Sequence, residues 1–440
     1  MIGIELLVVL AAIYLGARIG SIGIGFAGGL GVLALTWGLG MQIPSDQLIT
    51  YVPWDVIMII ASVICAIACM QLAGGMDYLV HLAEKALRKN PKYITFAAPV
   101  VTYLMTMLAG TGHTAFSTLP VIAEVAKEQG IRPSRPLSIA VIASQIAITA
   151  SPISAAVVAF SGMLEPLGVD YLTLLAICIP SSFLACLIGA FVANMIGKPL
   201  EQDEVYLDRK AKGLIKLRGT NQMEIKPYAK LSVGIFIAAI VAVMAYATAI
   251  SGNVGLISDP PIPRDGAIMG IMLAAATVMV LMCKLDATEV TNMPTFKSGM
   301  SACICVLGVA WLGNVFVKGN MAEIQAFAGD LLSQYRWLLA VVLFFSSMLL
   351  YSQGATTKAL MPAALALGVS PLAAIASFAA VSALFVLPTY PTLLAAVEMD
   401  DTGSTRIGKA VFNHPFFIPG VVTIAVAVAL GFFFGEIMLW

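Results

Sequence analysis

The chain has 440 residues, 60% of them hydrophobic and 11% charged, against roughly 45–50% and 25% in a soluble domain, which excludes an ordinary water-soluble fold. Lys+Arg and Asp+Glu balance at 24 each, so there is no basic excess to hold a phosphate backbone, and nucleic acid is excluded as a partner. The seven cysteines, at 65, 69, 178, 186, 283, 303 and 305, sit in apolar runs without CxxC or paired-histidine spacing. Neither a disulfide framework nor a metal site is expected, and no cofactor motif is present.

A membrane helix needs about 20 mostly apolar residues, and charges mark where it leaves the hydrocarbon. In chain order the pattern predicts ten crossings: 2–16, 20–40, 54–74, 137–164, 171–197, 231–250, 266–283, 299–317, 371–397 and 416–438. The first run has no basic region before it and carries Glu5, so it reads as a span rather than a cleaved leader. Two further apolar stretches, 93–126 and 337–367, are too long for one helix, and each is broken by a polar, glycine-containing cluster. They are predicted to be re-entrant hairpins. The expected fold class is thus an all-α polytopic membrane protein lying in the lipid bilayer, with about ten transmembrane helices and two hairpins.

With these elements, 20 of the Lys and Arg residues fall on one side, among them eight between Lys198 and Lys230, and three (Arg264, Lys318, Arg336) on the other. The richer side is cytoplasmic, which places both termini outside the cytoplasm. Residues 198–230 are the one sizeable polar stretch and read as a cytoplasmic linker. The run with Glu84, Arg88, Lys89 and Lys92, together with Arg132 and Arg135, reads as an interfacial arm and a positive-inside signal.

An internal repeat organises the rest. Gly112-His-Thr-Ala-Phe-Ser-Thr-Leu-Pro120 aligns with Gly354-Ala-Thr-Thr-Lys-Ala-Leu-Met-Pro362. Upstream, residues 72–93 correspond to 312–337, each an amphipathic stretch leading into a hairpin. Downstream, both copies carry a proline cluster in a long helix: Ser151-Pro-Ile-Ser154 and Pro388-Thr-Tyr-Pro-Thr392. Five crossings separate equivalent elements, and an odd number inverts the second copy. The domain organisation is therefore N-terminal scaffold helices (1–53), a first repeat (54–197), the linker (198–230), connecting helices (231–298) and a second repeat (299–440).

Non-helical backbone at membrane depth is tolerated only in a protein interior or beside an aqueous cavity. Four breaks meet that description: 110–114, 149–154, 352–358 and 387–392. Half-helix N-termini present free N–H groups and partial positive charge, and neighbouring hydroxyls add donors, a combination suited to an anion. The candidate substrate-binding residues are Thr111, Gly112, His113, Thr114, Ser151, Ser154, Gln353, Gly354, Thr356, Thr357, Lys358, Thr389 and Thr392. Ser and Thr in membrane helices also bond back to their own backbone. His113 has two readings, proton carrier or simple hydrogen-bond donor. Lys358 is the sole charged residue between Arg336 and Glu398, and an ionisable group inside a membrane marks a functional site by default.

At these residues the sequence resembles the Dcu family of bacterial anaerobic C4-dicarboxylate transporters. The likeness runs nearly end to end, through GARIGSIGIGFAGGLGVL (16–33), EKALRKNPKY (84–93), LPVIAEVAKEQGIRPSRPLS (119–138), QIAITASPISAAVV (145–158), MSACICVLGVAWLG (300–313), FVLPTYPTLLAAVEMDDTG (385–403) and GKAVFNHPFFIPG (408–420). The resemblance implies a multi-pass antiporter of the bacterial inner membrane that takes up fumarate, malate or aspartate and releases succinate during anaerobic respiration. It also implies a homodimer formed through the non-hairpin helices. That family carries Asn as well as His at the position of His113, so a proton-carrying role is not required there. A cation-coupled symporter is the alternative within transport. An intramembrane enzyme lacks its markers, having no HExxH and no pair of intramembrane aspartates, and inverted repeats with hairpins belong to carriers rather than pores.

Overall fold

In the computed structural model the described residues form helices joined by turns, with no β-strand among them. Described are all residues except 1, 20–21, 42, 53, 216–224, 251–255, 258, 306, 309–310, 321–322, 324–334, 336, 351, 389, 409–411 and 440, and the side chains of 13, 17, 18, 24, 45, 55, 56, 113, 117, 298, 302, 305, 317 and 349. Intra-segment hydrogen bonding explains this composition, because a helix satisfies every backbone group without help from water.

Helices α1 (Ile2–Ile19) and α2 (Gly23–Leu33) pack together at the N-terminus. The single helix expected over 20–40 is instead α2 followed by a π turn, Ala34–Gly38. Its glycines bring backbones into contact: a Cβ at Gly25 would collide with the Ile304 carbonyl, and one at Gly31 would lie 2.7 Å from Leu312. Helix α3 (Trp54–Leu72) meets α4 (Gly75–Lys89) at a 74° bend, with Gly74 in the left-handed region at φ +85. On α4, Met76, Val80, Ala83 and Leu87 are buried at helical spacing, while Arg88 bonds Glu84 at 2.8 Å and Glu128 at 2.7 Å.

The first hairpin is α5 (Ile94–Ala109), a tight turn through Gly110 at φ +67 and residues Gly112–Thr114, and α6 (Ala115–Glu128). A broken helix follows: α7 (Ser134–Ile146), a 3-10 turn at Ala147–Ala150, extended backbone at Ser151 and Ser154, and α8 (Ala155–Leu164). Helix α9 (Tyr171–Met195) closes this half. The linker contains a short helix, α10 (Glu204–Ala211), and leads to the connecting helices α11 (Ala229–Ala249) and α12 (Arg264–Met282). Two short helices, α13 (Pro294–Cys305) and α14 (Trp311–Gly319), stand where one crossing over 299–317 is expected.

The second hairpin is α15 (Leu338–Leu350) and α16 (Gln353–Ala366). The second broken helix runs α17 (Pro371–Ser377), a 3-10 stretch Phe378–Phe385, and α18 (Pro391–Met399), and α19 (Phe417–Met438) ends the chain. Most of the amphipathic stretch predicted before this hairpin lies outside the described residues. Among the described residues six helical stretches are long and apolar enough to cross a bilayer, and the bent α3–α4 pair makes at most a seventh. One of the six, Pro91–Ala109, is the first arm of the first hairpin; of the other expected crossings, 2–16 is the single helix α1, and 20–40, 299–317 and 371–397 consist of shorter pieces.

Packing repeats the sequence symmetry. The first arm of each hairpin lies on the first half of the broken helix in its own repeat, α5 on α7 and α15 on the 3-10 stretch. The second arm of each lies on the second half of the other repeat's broken helix, α16 on α8 and α6 on α18. Hydrogen bonds match too: Thr102 donates to the Ala140 carbonyl and Ser347 to the Ala380 carbonyl, each at 3.0 Å. The closing helices α9 and α19 run antiparallel, since Gly189 faces Thr423 while Gly435 faces Ile177. That is the relation an inverted repeat requires.

The surface is apolar and the interior is polar in patches. Leu7, Phe191, Val241, Leu281 and Phe433 are exposed, whereas Ser138, Ser144, Gln145, Thr149, Ser151, Ser154, Ser377 and Ser382 are buried. In water that surface would be costly, and in lipid it matches the solvent.

Candidate functional site

The first break is where the pieces meet. Gly112, at the first hairpin tip, rests on the end of α7: a Cβ there would lie 3.0 Å from the Ser144 carbonyl oxygen. Gly110 lies against Ile153, and the Ser151 hydroxyl donates to the Met107 carbonyl at 2.7 Å. The second hairpin tip reaches the same place. The Gln353 amide nitrogen donates to the Gln145 carbonyl at 3.1 Å, and a Cβ on Gly354 would lie 3.7 Å from Ala155 Cβ and 3.9 Å from the Ala156 nitrogen. From the second broken helix, the Ser382 hydroxyl donates to the same Gln145 carbonyl at 3.2 Å.

Two helix N-termini, those of α8 and α16, thus converge at Ala155 and Gly354. Ser154 caps α8 by accepting from the Val157 N–H at 3.2 Å, and Ser352 caps α16 by accepting from the Ala355 N–H at 3.2 Å. The N–H groups of Ala155, Ala156, Gln353 and Gly354 lie in the first turns, where no carbonyl of their own helix reaches them. Each end carries about half a positive charge. Two such ends side by side bring unpaired N–H groups and positive charge to one place, an arrangement that can hold a carboxylate.

The hydroxyls behave differently from what an anion site built on serine and threonine requires. Ser151 and Ser154 donate to the carbonyls of Met107 and Ile148, at 2.7 Å each. Thr356 and Thr357 donate to Ser352 and Gln353, one turn back, also at 2.7 Å. Two causes act. Near the C-terminal end of α5 the Met107 carbonyl is left for Ser151, whereas Thr356 and Thr357 bond back to the carbonyl four residues earlier in their own helix, as hydroxyls in membrane helices do. Thr114 is paired with Thr106 at 3.0 Å and donates to the Thr111 carbonyl at 3.2 Å.

Thr392 is fully buried, and its hydroxyl has no hydrogen-bond partner among the described residues. Lys358 is 5% exposed on α16. The His113 side chain and Thr389 lie outside the described residues. The residue that sequence reasoning passed over is Gln145, which is 1% exposed beside the break. Its signal was available, an amide inside an uncharged run, but a neutral polar side chain stands out less than a lysine does.

Around the linker a second polar cluster holds the elements together. Asp203 caps α10, accepting from the Val205 and Tyr206 N–H groups, and pairs with Arg132 at 2.7 Å and Arg406 at 3.1 Å. Burial alone would raise its carboxyl, but the bonds from Arg406 and Arg132 outweigh that and hold it at about 2. Asp400, also buried, accepts from the Thr402 and Thr405 N–H groups and from the Ser404 hydroxyl at 2.8 Å.

Hairpins, broken helices and antiparallel closing helices define an all-helical polytopic fold of the membrane-transporter type. A solved transporter, YdaH of Alcanivorax borkumensis, described as having an unusual topology, shares the fold with a TM-score of 0.58 over 90% of each chain at 12% identity. Residues 1–439 match the family described as anaerobic C4-dicarboxylate membrane transporter. The chain is 65% identical to the C4-dicarboxylate transporter DcuA of Wolinella succinogenes and 57% identical to DcuA of Escherichia coli, over 100% of each chain in both cases. It is 35% identical to the anaerobic C4-dicarboxylate transporter DcuB of Escherichia coli over 98% of each. The chain belongs to this family of anaerobic C4-dicarboxylate membrane transporters.

Proposed function

We propose that the protein exchanges C4-dicarboxylates across the bacterial inner membrane, taking up fumarate, malate or aspartate against succinate by alternating access. The observation that carries this reading is the meeting of the α8 and α16 N-termini at Ala155 and Gly354. A site made of dipole ends, a buried lysine and few acidic groups suits an anion and offers a coupling cation little. The names of the relatives supply the class of anion.

Exchange is tested in proteoliposomes. Vesicles loaded with succinate should accumulate labelled fumarate at least tenfold faster than empty ones. Equal uptake by empty vesicles under a Na⁺ or pH gradient would replace exchange with cation-coupled symport.

The orientation places both termini in the periplasm and residues 198–230 in the cytoplasm, from the 20 to 3 division of Lys and Arg. Ile215→Cys should react with an impermeant maleimide only from the cytoplasmic side, and Ser258→Cys only from outside. The opposite pattern would mean that a span has been miscounted.

A further inference from the structure

The Gln145 side chain presents an unusual account. It lies in the last turn of α7, is 1% exposed, and neither its amide nitrogen nor its amide oxygen has a hydrogen-bond partner among the described residues. Its backbone carbonyl, in contrast, accepts from both Gln353 and Ser382, so the residue is pinned where the second hairpin and the second broken helix reach the first break. An unpaired buried amide is costly, and an apolar side chain of the same size would avoid the cost. Such a group calls for a partner from outside the chain, an ordered water or a ligand, and this one lies where the α8 and α16 N-termini meet.

A glutamine amide has two different ends, a donor and an acceptor. Carboxylates only accept, so succinate or fumarate satisfies the nitrogen and leaves the oxygen bare. A C4-dicarboxylate bearing an ammonium or hydroxyl on carbon 2 satisfies both. We infer that the Gln145 amide is a specificity-determining contact, its nitrogen donating to a substrate carboxylate and its oxygen accepting from a donor on carbon 2. Sites built to pair a polar substrate group discriminate strongly against analogues lacking it, because the site's own group is then stranded. The inference rests on the dicarboxylate reading above.

The test compares binding of L-aspartate, L-malate and succinate to the purified full-length protein. In Gln145→Met, affinity for all three should fall, and the aspartate-to-succinate preference should drop about tenfold relative to wild type. An unchanged preference in folded, monodisperse Gln145→Met overturns the inference. If that variant does not fold, Gln145→Glu carries the test. It keeps the acceptor and exchanges the donor for charge, so the aspartate-to-succinate preference should rise, and no rise overturns the inference. Failure of the wild type to bind any of the three dicarboxylates would instead overturn the dicarboxylate reading itself.

Discussion

Lys358→Met is expected to weaken dicarboxylate binding by on the order of tenfold to a hundredfold. Lys358 lies little more than one turn past the Gln353–Gly354 tip of α16 and is 5% exposed. A dianion that leaves water for a low-dielectric site must exchange its hydration for fixed charge and donors. Truncating one member of a buried charge pair costs about 2–5 kcal/mol, and relaxation recovers part of it. Thr356→Ala is the contrasting change. The Thr356 proton is already on the Ser352 carbonyl at 2.7 Å, so its loss should cost affinity no more than about 1 kcal/mol. Calorimetry with succinate on monodisperse protein reads both variants. Wild-type affinity together with a lowered melting temperature would assign Lys358 to the structure and remove it from the site.

Asp203→Asn should be among the most destabilising single changes outside the membrane, by up to about 3–5 kcal/mol. Asn still caps α10, so the loss isolates the charge. Arg132 would be left 10% exposed without its carboxylate, although Ser134 and the carbonyls of Lys198 and Ser404 remain as partners and hold the cost below the upper figure. Gly197 belongs to the same arrangement, since a Cβ there would lie 2.9 Å from Arg132 Nε. Arg406 is 47% exposed, so solvent screens its share and Arg406→Gln should cost under about 1 kcal/mol. Because the folded carboxyl is depressed, its contribution is complete above the ordinary Asp value of about 3.9 and vanishes as pH falls to about 2. The gap in melting temperature between wild type and Asp203→Asn should therefore close over that window. Equal melting temperatures at neutral pH would show that the cluster carries no stability.

Both hairpins were legible because glycine and proline act on the backbone locally. Gly110 ends α5 in the left-handed region at φ +67, and Pro152 and Pro391 lie at the breaks of the two broken helices, although Pro99, Pro120, Pro180 and Pro362 are carried inside helices. Over 93–126 and 337–367 the chain forms two pairs of helices, α5–α6 and α15–α16. The expected spans over 20–40 and 299–317 were apolar enough to be single helices. What the spacing did not contain is the close approach of Gly25 to the Ile304 backbone and of Gly308 to Gly25, a contact between segments far apart in the chain.

The site divides along the same line. Composition determined by itself that the chain lies in a membrane, and spacing determined the repeat and three of the breaks, since these depend on solvent and on neighbours along the chain; the fourth, expected over 352–358, is helical from Gln353 onward because Ser352 caps α16 there. Tertiary structure decided which proton goes where. Ser151 gives its proton to Met107, and Gln145 is held by Gln353 and Ser382 while its amide stays unpaired. The long-range hydrogen bonds at the site are allotted by which carbonyl lies nearest in space. That distance is set by how two inverted halves cross, and no periodicity along either half contains it.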